Sequence, residues 1–213
     1  MEQPLVFHNA DFEKAVRFEL QNHDTPVFPA DALKVKHLCC ADFSFSPEDY
    51  ETLYCFQNLE RLVLEQAEGI LDLSLLTPLK NLKELNVGGD IYWSVDLINI
   101  GALKELPLLV HLSIGDFRTI DLAEIGSIKQ LKELLIGWGN SVTNAQAIKE
   151  LENLSYLELL DIKIENLDFL QEVSVDVDLS LGGLEITDPF DIGILKRFKK
   201  YQYEMICVSG EFI

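Results

Sequence analysis

The sequence predicts an α/β solenoid: a curved parallel sheet on the concave side, short helical turns on the convex side and a helical cap at the N-terminus. Three observations predict it. The phrases FQNLERLVL (56–64), LKNLKELNV (79–87), LPLLVHLSI (106–114), IKQLKELLI (128–136) and LENLSYLEL (151–159) share the pattern L-x-x-L-x-x-L-x-L with conservative apolar exchange. Their third anchors, Leu62, Leu85, Leu112, Leu134 and Leu157, step by 23, 27, 22 and 23 residues, and self-similarity at such a period is the signature of stacked coils. Within each phrase the last two anchors lie two apart and the first ones three apart, which is strand spacing entered from a turn.

Each element follows from that rhythm. In the fourth phrase Leu134 and Ile136 point inward while Glu133 and Leu135 point outward, because successive strand side chains alternate faces. The returning half of each coil, GILDLSLL (69–76), TIDLAEIGSI (119–128) and KIENLDFL (163–170), carries further apolar anchors in segments too short for long helices. One coil cannot bury its own leucines, so the array is stable only as a whole and needs a cover at each end. The alternation in VSVDVDLSL (173–181) predicts a strand with Val173, Val175, Val177 and Leu179 on one face and Asp176 and Asp178 on the other. Beyond it, an amphipathic stretch from Ile192 to Tyr201 and a strand from Tyr203 to Val208 are expected to close the stack. The whole chain reads as one domain: a cap at 1–32, repeats at 33–181, and a last repeat with its cap at 182–213.

These phrases resemble the bacterial leucine-rich repeat proteins of the short, roughly 22-residue subclass, the group that includes the internalins. NADFEKAVRFELQNHDTPVFPADALKVKHLCC (9–40) is similar to the small helical cap that precedes such arrays, with Phe12, Ala15, Val16 and Phe18–Leu20 as its apolar side. The resemblance covers nearly the entire chain and implies a protein-binding scaffold. One departure matters. Where the family usually keeps an asparagine, three residues after the last strand anchor, this chain has Ala67, Asp90, Phe117, Gly139 and Ile162, so the turn backbone must be satisfied by other means.

Composition bounds the function. The chain has 213 residues, is 48% hydrophobic and carries a formal charge of −19, from 17 lysines and arginines against 36 aspartates and glutamates. Such a field repels phosphate backbones and anionic lipid, and favours encounter with a cationic partner. Neither nucleic acid nor membrane is expected as a partner. The start, MEQPLVFHNADFEK, has no basic region followed by an apolar one, and no stretch approaches the roughly 18 unbroken apolar residues of a membrane span; a cytoplasmic location is the expectation. Cys39, Cys40, Cys55 and Cys207 are too few and too irregular for a disulfide framework and read as reduced thiols.

The outward strand positions and the loops beyond them supply the candidate site. Before and after the third anchor stand His111 and Ser113, Glu133 and Leu135, and Tyr156 and Glu158; just past the strands come Gly88, Gly115 and Gly137, then Gly89, Asp116, Trp138 and Asp161. Glycine at one equivalent place in three repeats is expected to clear the strand exits and leave backbone exposed at the floor of a concavity. The candidate partner-binding residues are Asp90, Trp93, His111, Asp116, Phe117, Glu133, Leu135, Trp138, Tyr156, Glu158 and Asp161. Trp138, set between Gly137 and Gly139, is either an anchor for a partner's side chain or space-filling against neighbouring loops.

No catalytic or cofactor signature emerges. GWGNSV (137–142) only superficially matches a dinucleotide loop, since Val142 stands where the third glycine belongs. His37, Cys39, Cys40 and Cys55 include no C-x-x-C pair, and Cys40 is expected to face inward, against a zinc site. His111 and Ser113 share a face without a sequence-evident orienting carboxylate. Asp176 and Asp178 read as solubilising, and Lys196, Arg197, Lys199 and Lys200 as a solvated face or a contact for an acidic partner. Two functions fit: a non-catalytic protein-binding module, in its specific form an inhibitor or immunity-type protein that neutralises a basic enzyme, or an enzyme or enzyme subunit with an acidic cleft on the concave face using Asp90, Asp116 and His111.

Overall fold

Leucines that recur once per coil set the register of the whole molecule. A computed structural model describes residues 3–40, 45–65, 69–88 and 95–212. Its main sheet has twelve strands, among them β1 (His37–Cys40), β2 (Arg61–Leu64), β4 (Glu84–Gly88), β6 (His111–Gly115), β8 (Glu133–Thr143), β9 (Tyr156–Ile164), β10 (Asp178–Gly182) and β12 (Lys200–Glu204). These eight run parallel and in register, so that His37, Arg61, Glu84, His111, Glu133, Tyr156, Asp178 and Lys200 form one row across the sheet. The next row inward is Leu38, Leu62, Leu85, Leu112, Leu134, Leu157 and Leu179, all buried, and each such leucine contributes about 1.5–3 kcal/mol by leaving water. A single apolar cluster runs from the cap to the last coil.

From the second coil onward, a second strand segment follows the main-sheet strand. β3 (Gly69–Asp72) pairs with β5 (Val95–Ile98) in a small parallel sheet, and β7 (Thr119–Asp121) pairs with the far end of β8. β11 (Glu185–Ile186) lies beside the far end of β9, followed by β13 (Cys207–Val208) and, antiparallel to it, β14 (Glu211–Phe212). The coils then return through tight helical turns at Leu73–Leu76, Ile100–Glu105, Ile125–Ser127, Ala145–Glu150, Asp168–Gln171 and Ile192–Arg197, the brief convex elements expected. The acidic residues that open these returns act as caps: Asp72 Oδ1 accepts from the Ser74 amide at 2.9 Å and Asp191 Oδ1 from the Gly193 amide at 2.8 Å.

An amide ladder does exist, ahead of the second anchor of each phrase and not after the fourth. Asn58, Asn81 and Asn153, each directly before the second anchor of its phrase, donate at 2.8 Å to the carbonyls of Leu33, Gln57 and Lys129 in the preceding coil, and Gln130 donates to Leu106 at 2.8 Å. In the later coils the row where asparagine was missing holds buried apolar residues, Phe117, Ile162, Leu184 and Ile206. Backbone bonds between coils satisfy that turn, Asp116 N–H to Gly137 O at 3.2 Å and Asn140 N–H to Phe117 O at 3.2 Å.

The N-terminal cap is helix α1 (Ala10–Leu20), started by Asn9, whose side chain accepts from the Phe12 amide. Phe12 and Val16 face the core, with Ala15 and Leu20 partly buried beside them. Phe18, expected on the same side, is 75% exposed; six residues beyond Phe12 it is rotated well away from that residue's face at 3.6 residues per turn. Two short helices follow, α2 (Pro29–Ala32) and α3 (Pro47–Leu53). Asp49 of α3 fastens the cap to the first coil: buried, it accepts from the His8 and Asn9 amides at 2.8 and 3.1 Å and from Ser46 N–H and Oγ at 3.1 and 3.0 Å.

The C-terminal expectations need correction. The alternating 173–181 segment is a strand only from Asp178; Val173 and Val177 are buried in the turn before it, so their period-two pattern reports burial in a loop. The expected strand 203–208 divides into β12 and β13 around Met205, whose φ is +49°. β12 does not close the stack. All five of its residues are exposed, and among the described residues it pairs only with β10.

Candidate partner-binding face

A left-handed corner recurs in five successive coils, from the β6 coil to the β12 coil. Asp116, Trp138, Asp161, Gly183 and Met205 have φ of +49°, +55°, +48°, +61° and +49°, and residues holding equivalent places in successive coils stand roughly 5 Å apart. Four of the five carry side chains, and a side chain in this region costs on the order of 1–3 kcal/mol. The corner reverses which residues face out. Trp138 therefore projects from the turn, 57% exposed, with Asp116 and the exposed Asp161 at the corners on either side of it.

The two glycines around Trp138 have separate causes. A Cβ on Gly139 would lie 2.2 Å from the ring of Phe117, which fills the inward space at that row; a Cβ on Gly137 would lie 3.2 Å from the Leu160 carbonyl oxygen. Gly115 and Gly137 are buried, contrary to the exposed floor expected, because side chains of the following coil lie over them. The Trp138 ring comes within 3.3 Å of where a Cβ on Gly115 would sit. One edge of the indole thus rests on the neighbouring coil while more than half of the residue stays exposed.

Phe117 is the clearest misplacement among the candidate residues. It is 1% exposed, since it directly follows the Asp116 corner and so points inward; it is a core residue, removed from any rigid contact surface. Asp90 and Trp93 lie outside the described residues. His111, Glu133 and Tyr156 share the first outward row, and Leu135 and Glu158 the second, as expected.

Neighbouring strands engage one another's polar and charged side chains. His111 Nδ1 lies 2.9 Å from Glu133 Oε2, an orienting carboxylate supplied by the next coil that the phrase around His111 gave no hint of. Arg61 Nε is 3.4 Å from Glu84, and Lys200 Nζ is 3.3 Å from Asp178. Glu158 accepts from the Tyr156 hydroxyl at 3.0 Å and from the Ser180 hydroxyl at 3.4 Å, and Gln202 donates to Ser180 at 3.0 Å. Burial, then the bond to Glu158, raises the Tyr156 pKa and keeps its hydroxyl a donor. The outward strand rows thus hold Arg61 and Lys200 against Glu84, Glu133, Glu158 and Asp178, all of them engaged. Acid without such strand-face pairing collects at the strand ends, where Glu65, Asp161 and Glu204 are exposed. Negative charge thus stands both on the sheet, at Glu133 and Glu158, and along the strand-end rim.

The remaining candidates fall into place. Lys199 contacts Asp176, Lys200 pairs with Asp178, and Arg197 donates to the Leu170 carbonyl, so much of the basic cluster bonds to the preceding coil. Cys40 is buried and burial pushes its thiol up to about 12; burial and the neighbouring Glu65 carboxylate also raise Cys39. Among the described residues no three His, Cys, Asp or Glu side chains gather where they could hold a metal ion, and no helix is long and apolar enough to cross a membrane.

No family model matches the sequence, and no curated protein matches it significantly. Solved structures do. Internalin C2 of Listeria monocytogenes superposes with a TM-score of 0.65 at 18% identity, covering 97% of this chain and 97% of that one. A leucine-rich repeat protein of Leptospira interrogans gives 0.61 at 21% identity over 98% of this chain and 48% of that one, and internalin F of Listeria monocytogenes 0.56 at 18% over 98% and 73%. At such identities the likeness concerns the fold. With its in-register leucine rows, parallel sheet and short convex turns, the chain has a leucine-rich repeat solenoid fold similar to that of the internalins.

Proposed function

We propose that this protein is a non-catalytic binding module that engages a basic protein through the strand-end rim around Trp138, acting as an inhibitor or immunity-type protein toward it. The observation that carries the reading is Trp138 itself: a large aromatic held in a strained left-handed corner, 57% exposed, with a carboxylate at the corner on either side. Strained, exposed aromatics persist where they are used. An indole face between two acids suits an arginine or lysine side chain, which stacks on the ring while a carboxylate takes its N–H groups. An acidic rim residue further along, Glu65, extends the field that steers a cationic partner. A net charge of −19 acts at longer range in the same direction.

The test is affinity capture from cell extract with the wild-type chain, Trp138→Ala and Asp116→Lys, identified by mass spectrometry and repeated between about 50 and 300 mM salt. A basic protein should be retained by wild type, lost by both variants and weakened by salt. Equal retention by wild type and both variants would remove the rim from consideration.

A further inference from the structure

The end of the stack at β12 carries an anomaly that the rim does not use. Tyr201 and Tyr203 occupy the two rows that elsewhere bury the core anchors: Tyr201 continues Leu157 and Leu179, and Tyr203 continues Leu159 and Leu181. Yet they are 40% and 45% exposed, stacked at 6.4 Å with a 6° angle between their rings, and followed by Met205 at 63%. Core positions are thus open to water at this end.

Its backbone is open as well. The Glu204 carbonyl accepts from Gly183 N–H, so residues 200, 202 and 204 direct their backbone groups toward β10, and by alternation those of Tyr201 and Tyr203 point away from it along the sheet edge. An unpaired, aromatic edge strand of this kind is a template for another strand.

We propose that a second copy of this chain docks here, β12 pairing antiparallel with its own counterpart about a two-fold axis through Gln202. The charges of the strand select this occupant. In that pairing Lys200 of each copy faces Glu204 of the other, Tyr201 faces Tyr203, and Gln202 faces itself, so the strand is complementary to itself as an isologous contact requires. The residues that meet through backbone hydrogen bonds are Tyr201 and Tyr203, the two whose groups are turned outward. Lys200, Gln202 and Glu204 share one face and the two tyrosines the other, so the dimer joins two ion pairs on one side and a four-ring stack on the other. Trp138 lies in the corner row of a coil three strands away from this edge, so the rim around it remains open in the dimer.

Sedimentation velocity over a concentration series tests this on the full chain. Wild type should show a monomer–dimer equilibrium. Lys200→Glu and Glu204→Lys, each alone, turn both ion pairs into like-charge contacts and should weaken association by on the order of tenfold. Mixing the two single variants should restore it, because one contact then joins the two introduced charges and the other the two native ones; a variant weakened only by local damage, such as loss of the Lys200–Asp178 pair, would not be rescued by mixing. A wild-type chain that stays monomeric overturns the proposal and leaves the edge to a strand from a different protein. Association untouched by the single variants, or not recovered on mixing, overturns it too.

Discussion

Single side chains decide where this molecule is rigid and where it presents chemistry. Gly139 is glycine because the Phe117 ring already occupies the place of its Cβ; Gly139→Ala should therefore lower stability by about 1–3 kcal/mol through overpacking, measured by chemical denaturation. Trp138→Ala, by contrast, removes a ring that touches the stack along one edge only and should change stability by less than about 1 kcal/mol. Asp49 illustrates a buried charge that is satisfied: burial drives its pKa upward, yet amide donors from His8, Ser46 and Asn9 hold the carboxyl below its usual value. Asp49→Ala leaves those amides unpaired and should cost about 2–4 kcal/mol, with the N-terminal cap the first segment to exchange its amide hydrogens.

At the scale of elements, charges bridge successive coils. Glu60 sits between Lys36 and Lys83 at 2.8 and 2.5 Å, and their hydrogen bonds lower its pKa to about 2. Its folded pKa lies below the ordinary carboxylate value, so the stabilisation is present above about pH 4.5 and is lost as the pH falls toward 2. Glu60→Gln should therefore melt below wild type at neutral pH, with the two curves converging across that acid window. Added salt should narrow the gap at neutral pH, because these groups are partly exposed. Some elements were legible in the sequence and others were not, for identifiable reasons. Leucine spacing predicted the inward rows of β2, β4, β6, β8 and β9 because burial there is the only demand on those positions. The amide ladder was hidden in the same phrases, at Asn58, Asn81, Gln130 and Asn153, where polar residues between leucines read as mere surface. β12 was misplaced because tyrosines stand at its anchors, and Phe117 because a corner that needs positive φ, occupied by aspartate and tryptophan rather than glycine, leaves no mark on a hydrophobicity pattern.

The whole molecule is a one-dimensional array with a single continuous core, capped at the N-terminus by α1 and open along β12. Contacts run from each coil to its neighbours, so a defect in a central coil should propagate and unfolding should follow the weakest interface. Inward rows hold the chain together, and in the function proposed above the strand-end rim with Trp138 meets the partner. Leu134 and Leu135 test that division most directly, because they are adjacent, chemically identical and predicted to point in opposite directions. Guanidinium denaturation of Leu134→Ala and Leu135→Ala should show a loss of about 2–5 kcal/mol for the first and under about 1 kcal/mol for the second. Equal losses, or the larger one at Leu135, would contradict a stack held together by its inward leucines.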